Sequence, residues 1–263
     1  MPRRPPLAKL VSAYDEQWQA LRDWLVTLDG DAWLLPSAVA GWTVQDLVAH
    51  FALVADSLAA AAAAPTLQSP MAVADYLGGY AQGAAAIDVR TRELAAAGAS
   101  VVLDALDDRA AAAAAAVTAL QERGIEPMVV VEARRGPIRF DDFVLTRLVE
   151  LTVHGDDLVR SVPVGPPLTR AAVQLAVRCL TDVAAARAPG HSVELRVPPF
   201  AAVQCMAGPT HTRGTPPAVV ETDPVTWLRL AAGRTTWAEA TAAGLVRASG
   251  QRADLAGLFP LLS

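Results

Sequence analysis

Two histidines and one glutamate have the residue types and the spacing of a metal site. Glu150 and His154 lie four residues apart in a segment with helical periodicity, so their side chains project from the same face of the helix. His50 lies in an earlier helical segment, and the helices of a bundle can bring such groups together at its core. Two imidazoles and one carboxylate suit Zn²⁺ with one coordination position left open, and the same ligands suit non-haem Fe(II).

Each of these residues also has a purely structural interpretation. Glu150 can form an ion pair with Arg147, one turn earlier on the same helix. His154 can be a core histidine whose ring is hydrogen bonded to a backbone carbonyl, and His50 lies among apolar residues that suit the same role. The spacing of the three residues therefore leaves both a metal site and ordinary core packing open.

The other polar candidates are weaker. Asp46 lies one turn before His50, where it can orient the imidazole or cap the helix, and capping is the simpler role. We expect Asp156 and Asp157 to be acids on the helix surface, although either can flank the metal site. His191 and His211 lie in predicted loops, where we expect them to be solvated.

The first half of the chain predicts a four-helix bundle with a late β-hairpin. Apolar residues recur at helical spacing, and Thr43 with Asp46 has the spacing of a capping box. A run of seven alanines, Ala110–Ala116, favours close packing of helices, and Gly124 is a candidate C-cap. The predicted helices cover residues 7–28, 43–64, 71–97, 101–123 and 141–160, and the hairpin covers residues 128–140 with a turn at 134–137.

The second half predicts a small α+β domain with helices on one side of a sheet. A segment rich in proline and glycine, residues 161–168, separates it from the first half, so the predicted domains are 1–161 and 168–263. Asp223 and Pro224 are typical of a helix start. The predicted helices cover residues 169–188, 224–232, 236–243 and 253–262, and the predicted strands cover residues 192–197, 201–206, 218–222 and 245–248.

The composition indicates a soluble cytoplasmic protein. Apolar residues make up 53% of the chain and charged residues 19%, and the net charge of −5 argues against a nucleic-acid partner. The longest apolar stretch, residues 51–65, is too short to cross a membrane, and no signal peptide is recognisable. Cys179 and Cys205 predict two free, buried thiols. The scarcity of lysine and the abundance of alanine suggest a GC-rich genome of actinobacterial type.

Two segments resemble the mycothiol-dependent maleylpyruvate isomerase family, a branch of the DinB-like metal-binding bundles. Residues 41–50, GWTVQDLVAH, resemble its motif G-W-[ST]-x-x-D-L-x-x-H. Residues 147–158, RLVELTVHGDDL, resemble its motif R-x-x-E-x-x-x-H-x-x-D-L. The resemblance implies that His50, Glu150 and His154 bind zinc, or another divalent metal, in a DinB-like four-helix bundle.

The C-terminal half is similar to the end of sterol-carrier-protein-like domains. The shared pattern is an acid-started helix at Asp223, Gly233-Arg234, a second helix, the sequence G-x-V-x-x-S-G over residues 244–250 and a closing helix. The family carries such a domain behind its bundle, so the resemblance covers most of the chain and is weakest over residues 190–217.

The resemblance implies an enzyme that uses mycothiol as a thiol cosubstrate. In the isomerase reaction a thiolate adds to the double bond of maleylpyruvate, the new single bond rotates, and elimination gives the trans isomer. A C-terminal arginine of the family binds the substrate, which implies this role for Arg234, with Arg229 as the second candidate. We therefore expect a zinc-dependent isomerase or S-transferase for a small electrophile, as a monomer or homodimer.

Two other functions stay open at this point. In the first, the metal only holds two helices together, and the sterol-carrier-like domain binds an apolar ligand. That function predicts a sizeable apolar tunnel within residues 169–263 and a metal with no open coordination position. In the second, the ligands are intact but the protein has lost its activity.

Overall fold

The structure, a computed structural model, describes residues 4–122, 129–208 and 218–262. The chain forms two compact units. The first consists of Met1–Tyr76 and Gln82–Ala172, and the second of Leu77–Ala81 and Val173–Ser263. The units thus divide shortly after the proline-rich segment 161–168 that the sequence marks as a linker.

The first unit is a helical bundle with a small sheet, as predicted. Among these helices, α2 packs against α4, α5 and α6, while α1 packs against α6. The helices are α1 (Leu7–Leu25), α2 (Val44–Ala62), α3 (Val73–Gly78, as far as Tyr76 in this unit), α4 (Ala84–Ala95), α5 (Ala99–Glu122) and α6 (Phe140–Ser161).

A capping box fixes the start of α2. The Thr43 side chain accepts a hydrogen bond from the Asp46 N–H (3.2 Å), and Asp46 Oδ2 accepts one from the Thr43 N–H (2.8 Å). The predicted capping role of Asp46 is confirmed. Within the described part of the chain, α2 alone is long and apolar enough to cross a membrane, but 67% of its apolar window is buried. α2 is therefore the core helix of the bundle. Its capping box fixes the first helical residue at Val44, six residues before His50.

The small sheet of the first unit lies beside the bundle. Its strands are β1 (Pro65–Thr66), β2 (Val130–Ala133) and β3 (Gly136–Arg139), antiparallel in the order β1-β2-β3. Ala133 pairs with Gly136, so the hairpin closes through a two-residue turn, Arg134-Arg135. The hairpin was predicted, but β3 begins inside the predicted turn, and two-residue β1 is too short to show any strand pattern. The predicted start at Met128 lies outside the described residues.

Two predicted helix boundaries in this unit are wrong. The continuous helix over 71–97 is divided into α3, a 3-10 turn at Ala81–Gly83 and α4, because glycines at this point weaken the helix. α1 ends at Leu25, and the N–H groups of Thr27 and Leu28 close a tighter turn instead of continuing the helix. The predicted cap Gly124 lies outside the described residues.

The second unit contains a four-stranded mixed sheet. Its strand order is β5-β4-β6-β7, with β4 and β6 parallel and the other pairs antiparallel. Asp223 accepts hydrogen bonds from the N–H groups of Val225 and Thr226, as expected of the predicted N-cap. The elements are α7 (Arg170–Arg187, in this unit from Val173), β4 (Val193–Val197), β5 (Ala201–Cys205), β6 (Val219–Thr222), α8 (Pro224–Ala231), α9 (Trp237–Ala242) and β7 (Val246–Ser249).

The predicted closing helix over 253–262 is wrong. Only a 3-10 turn, Ala256–Leu258, forms there. Phe259 is extended with ψ 145°, because a residue before proline avoids the helical region and Pro260 has no N–H to donate. The ring of Phe259 lies 5.6 Å from that of Trp227 and 6.0 Å from that of Trp237, measured between centroids. Aromatic packing thus replaces helical hydrogen bonds at this end of the domain.

Candidate metal centre

The bundle brings His50, Glu150 and His154 together. His50 lies on α2, and Glu150 and His154 lie one turn apart on α6. One candidate ligand atom of each residue can be chosen so that all three lie within 4.8 Å of one another. The packing of α2 against α6 therefore creates the arrangement that the sequence spacing suggested.

The three side chains leave unused hydrogen-bonding capacity inside the protein. His50 Nε2 lies 3.1 Å from Glu150 Oε1, and the rings of His50 and His154 are 4.8 Å apart. His50 Nδ1 and Glu150 Oε2 are buried, and neither has a hydrogen-bond partner among the described residues. Buried polar groups nearly always have a partner, and a divalent cation is a partner that this donor set fits.

Arg147 holds the carboxylate of Glu150 from the other side. Its Nη1 lies 2.8 Å from Glu150 Oε2 in an ion pair that lacks the alignment of a hydrogen bond. Its guanidinium also lies over the ring of Phe143, 4.8 Å from the centroid, and 3.3 Å from the Ser57 hydroxyl. The predicted ion pair and the three-residue cluster thus coexist in one network.

The surroundings favour the protonation states that bind metals. Burial alone raises the pKa of Glu150, but the Arg147 charge and the His50 hydrogen bond outweigh it and hold this pKa well below its usual range. Burial lowers the pKa of His50, and the hydrogen bond to Glu150 offsets this only in part. An ionised carboxylate beside a neutral imidazole is the state in which both can bind a divalent cation.

Asp157 orients the third member of the cluster. Its Oδ2 lies 2.9 Å from His154 Nδ1, and the Asp157 side chain is completely buried. With Nδ1 engaged, Nε2 is the nitrogen that His154 can offer to a metal, as in many carboxylate–histidine–metal arrangements. The expectation of surface acids at Asp156 and Asp157 is wrong, since both are buried. The spacing of Asp157, three residues after His154 on the same helix face, could have indicated their contact but not the burial of Asp157.

A cavity of about 350 Å³ opens beside the cluster. His50, Glu150 and Arg147 line it, and so do three further arginines, Arg90, Arg134 and Arg135. No sequence pattern indicates a role for these arginines, since Arg134 and Arg135 lie in a predicted turn. They are contributed by α4 and by the turn between β2 and β3, which only the folded chain brings to His50.

The arginine predicted to bind substrate lies in the second unit. Arg234 follows α8; its N–H donates to the Arg229 carbonyl (2.7 Å), and its Nη1 donates to the Ala232 carbonyl (3.2 Å). Arg234 and Arg229 are both partly exposed. The cluster of His50, Glu150 and His154 lies in the first unit, and a catalytic role for Arg234 stays a prediction.

The remaining candidates have structural roles. His191 is exposed and hydrogen bonded to Gln204, and His211 lies outside the described residues. Cys179 and Cys205 are buried and neither is in a disulfide, as predicted. Burial raises the pKa of Cys205 to about 11, so this thiol is a poor nucleophile at neutral pH.

Comparisons with known proteins agree with this architecture. Residues 14–159 match the family of the mycothiol maleylpyruvate isomerase N-terminal domain, and residues 169–261 match the family of bacterial SCP orthologs. Crystal structures of the mycothiol-dependent maleylpyruvate isomerase and of a histidine-to-alanine mutant are similar in fold. The TM-score is 0.62 for both, at 15% and 16% identity, and the match covers 93% of each chain. No curated protein matches the chain. The predicted fold and family resemblance are confirmed.

Proposed function

Because the chain belongs to the family of the mycothiol maleylpyruvate isomerase N-terminal domain, we propose that it is a zinc-dependent enzyme that uses mycothiol to transform a small electrophile. The reaction is a cis–trans isomerisation of the maleylpyruvate type or the transfer of the thiol to the electrophile. The proposed compartment is the cytoplasm, where low-molecular-weight thiols are kept reduced.

One observation supports this proposal above the others. His50, Glu150 and His154 offer ligand atoms within 4.8 Å of one another, and His50 and Glu150 line a cavity of about 350 Å³. Three protein ligands next to a cavity are typical of a catalytic zinc site, which keeps one coordination position for water or substrate. A purely structural zinc site has four protein ligands and needs no cavity.

The protein's own groups prepare this site for thiol chemistry. When bound, zinc lowers the pKa of a coordinating thiol, so that the thiol is deprotonated at neutral pH. Asp157 fixes the ring of His154, and Arg147 keeps Glu150 ionised, so the ligands need little rearrangement. Arg234 is the residue we propose to bind a carboxylate of the electrophile, through its planar guanidinium.

The two reactions share their first step and differ in the second. The thiol sulfur forms a bond to one carbon of an activated double bond, and the electron pair of that double bond moves to the electron-withdrawing group. In an isomerase the carbon–carbon bond rotates, the pair returns, and the carbon–sulfur bond breaks to release the trans product and the thiol. In a transferase a proton is added to the neighbouring carbon, and the carbon–sulfur bond is kept.

The apolar-ligand alternative has less support. It predicts an apolar tunnel in the second unit, but a cavity of about 290 Å³ in the described part of that unit is lined by Glu221, Asp223 and Arg247, among others. Charged side chains at a cavity wall are unsuited to the body of a lipid, because their desolvation is not compensated there.

Metal content tests the proposal first. We would purify the protein without a metal-binding tag and measure metals by elemental analysis in the wild type, His50→Ala, Glu150→Ala and the control His191→Ala. We expect about one zinc per chain in the wild type and the control, and loss of zinc in the two site variants. A wild-type protein that binds no zinc when zinc is supplied would refute the proposal.

The reaction is then assayed with mycothiol and maleylpyruvate. Turnover to the trans isomer without consumption of thiol identifies an isomerase, whereas stoichiometric consumption of thiol identifies a transferase. A zinc-loaded protein that neither binds mycothiol nor reacts would support the inactive alternative.

A further inference from the structure

Two arginines occupy a turn that does not need them. Arg134 and Arg135 are the central residues between Ala133 and Gly136, which pair across the hairpin. Neither arginine has a positive φ, and turns of this kind accept most residue types. Gly136 supplies the positive φ of this hairpin, 120°, so the backbone requires nothing from either arginine. The turn therefore does not select arginine at either position.

The two guanidinium groups converge on one point. The position of a Cβ at Gly83 would lie 3.6 Å from Arg134 Nε and 3.8 Å from Arg135 Nη2. No salt bridge joins Arg134 to a carboxylate within the ranges that the structure describes. Like charges this close repel each other, and an anion bound between them would remove that repulsion.

Aromatic packing holds Arg135 in place. Its guanidinium lies over the ring of Tyr76, 5.3 Å from the centroid, and Tyr76 packs edge-on against Phe143 at 5.9 Å. Phe143 carries the guanidinium of Arg147 on its own ring, and Arg147 pairs with Glu150. A row of contacts between guanidinium groups and rings therefore runs from the turn to the proposed metal ligand. It restricts the conformations open to Arg135.

Arginines outnumber carboxylates in the lining of the cavity. Arg90 pairs with Asp56 at 3.1 Å, and Arg147 pairs with Glu150 at 2.8 Å. The other carboxylate in the lining is Glu132, which accepts a hydrogen bond from Gln68 (3.2 Å). The lining thus holds four arginines and three carboxylates, and a bound divalent metal would add further positive charge.

We infer that Arg134 and Arg135 form the carboxylate-binding part of the cavity beside His50 and Glu150, and that they select an anionic electrophile. The inference rests on the proposed function, because it assigns the partner that reacts there. It differs from the prediction for Arg234 in placing a specificity-determining cation on the bundle itself. The planar forks of two adjacent arginines suit a carboxylate, which each can bind through two hydrogen bonds.

Calorimetry with an unreactive probe tests the inference directly. Maleate, a dicarboxylate, and its neutral dimethyl ester would be titrated, without thiol, into zinc-supplied wild type, Arg134→Gln/Arg135→Gln and Arg247→Gln. Arg247 is an exposed arginine that lines a different cavity, so it controls for the change in net charge. The single variant Arg134→Gln keeps the contact of Arg135 with Tyr76 and so controls for packing.

We expect the double variant to bind maleate about tenfold more weakly or worse, and Arg134→Gln to show part of this loss. The control should bind maleate like the wild type, and no variant should alter binding of the ester. Equal maleate affinity in the wild type and the double variant, or no maleate binding by the wild type, would overturn the inference.

Two measurements report separately on the proposed function. One is the zinc content, and the other is the rate at which the protein adds mycothiol to a neutral maleimide, above the uncatalysed rate. If both are intact but the maleate affinity of the double variant equals that of the wild type, the inference fails and the proposed function stands. If the protein binds no zinc, the proposed function fails, and the maleate comparison on the metal-free protein still decides whether the turn binds carboxylates.

Discussion

The two regions proposed to cooperate in the reaction are constructed differently. In the cluster on α2 and α6, Arg147 pairs with Glu150 and Asp157 with His154, and both supporting side chains are buried. In the second unit, Arg234 is partly exposed and its Nη1 donates to a backbone carbonyl beside it. The proposed metal ligands are therefore held by charge pairs buried in the bundle, whereas the residue proposed to bind substrate is a long cationic side chain nearer the surface.

The largest loss of unfolding free energy is expected when one partner of a buried ion pair is removed. Glu150→Ala leaves Arg147 buried without its carboxylate, which we expect to lower the free energy of unfolding by about 3–5 kcal/mol. Urea unfolding of the metal-free proteins measures this change. Glu150→Ala/Arg147→Met removes both charges and should regain most of the stability. A double variant as unstable as the single one would show that the pair does not stabilise the bundle.

The second effect concerns the carboxylate that orients His154. Asp157→Asn removes the negative charge that faces His154 Nδ1, and we expect zinc affinity to fall about 10- to 100-fold. Competition with a chromophoric chelator measures this affinity. Asp156→Asn is the matched control, because Asp156 is also buried on α6 but the ring nitrogen of His154 pairs with Asp157. Equal losses in the two variants would indicate a general effect on the helix instead.

The third prediction concerns the second unit. Arg234→Gln should raise the KM for an anionic electrophile about tenfold, since a charge-assisted hydrogen bond is lost, and should leave zinc content unchanged. Steady-state kinetics and elemental analysis on the same sample check both points, with Arg229→Gln as the comparison. Unchanged kinetics would remove Arg234 from the site, and lost zinc would contradict the division of roles between the two regions.

The smallest expected loss of unfolding free energy comes from removing a capping box, a motif that occurs in both units. Thr43 and Thr236 each cap a helix through a capping box, with Asp46 and Glu239 as the respective partners. Thr43→Ala and Thr236→Ala should each cost about 1 kcal/mol of unfolding free energy, and serine at either position should restore most of it. Thermal unfolding measures both, and a negligible loss at Thr43 would show that packing alone fixes the start of α2.

The features that could be predicted from sequence are those that depend on neighbouring residues. The capping box at Thr43, the N-cap at Asp223 and the spacing of Glu150 and His154 are all local, and the structure contains each of them. The predicted closing helix is wrong because Phe259 is extended before Pro260, and the apolar pattern does not show this. Helix caps and the spacing of side chains on one helix can therefore be predicted from a single sequence.

The features that could not be predicted depend on where segments meet. Asp157 resembles any acid near the end of a helix, and its complete burial follows from packing that the helical pattern alone does not specify. Arg134 and Arg135 read as turn residues because their cavity also needs α2, α4 and α6. The side chains that surround the candidate metal ligands are therefore brought together only in the folded chain.

Zinc K-edge X-ray absorption, with and without mycothiol, shows directly whether a thiol binds to zinc at the proposed site. We expect a first shell of nitrogen and oxygen in the zinc-loaded protein, and a sulfur neighbour at about 2.3 Å after mycothiol is added. The shell should be lost in His50→Ala. A zinc whose first shell is unchanged by mycothiol, in a protein that retains its zinc, would contradict the claim that this site activates a thiol.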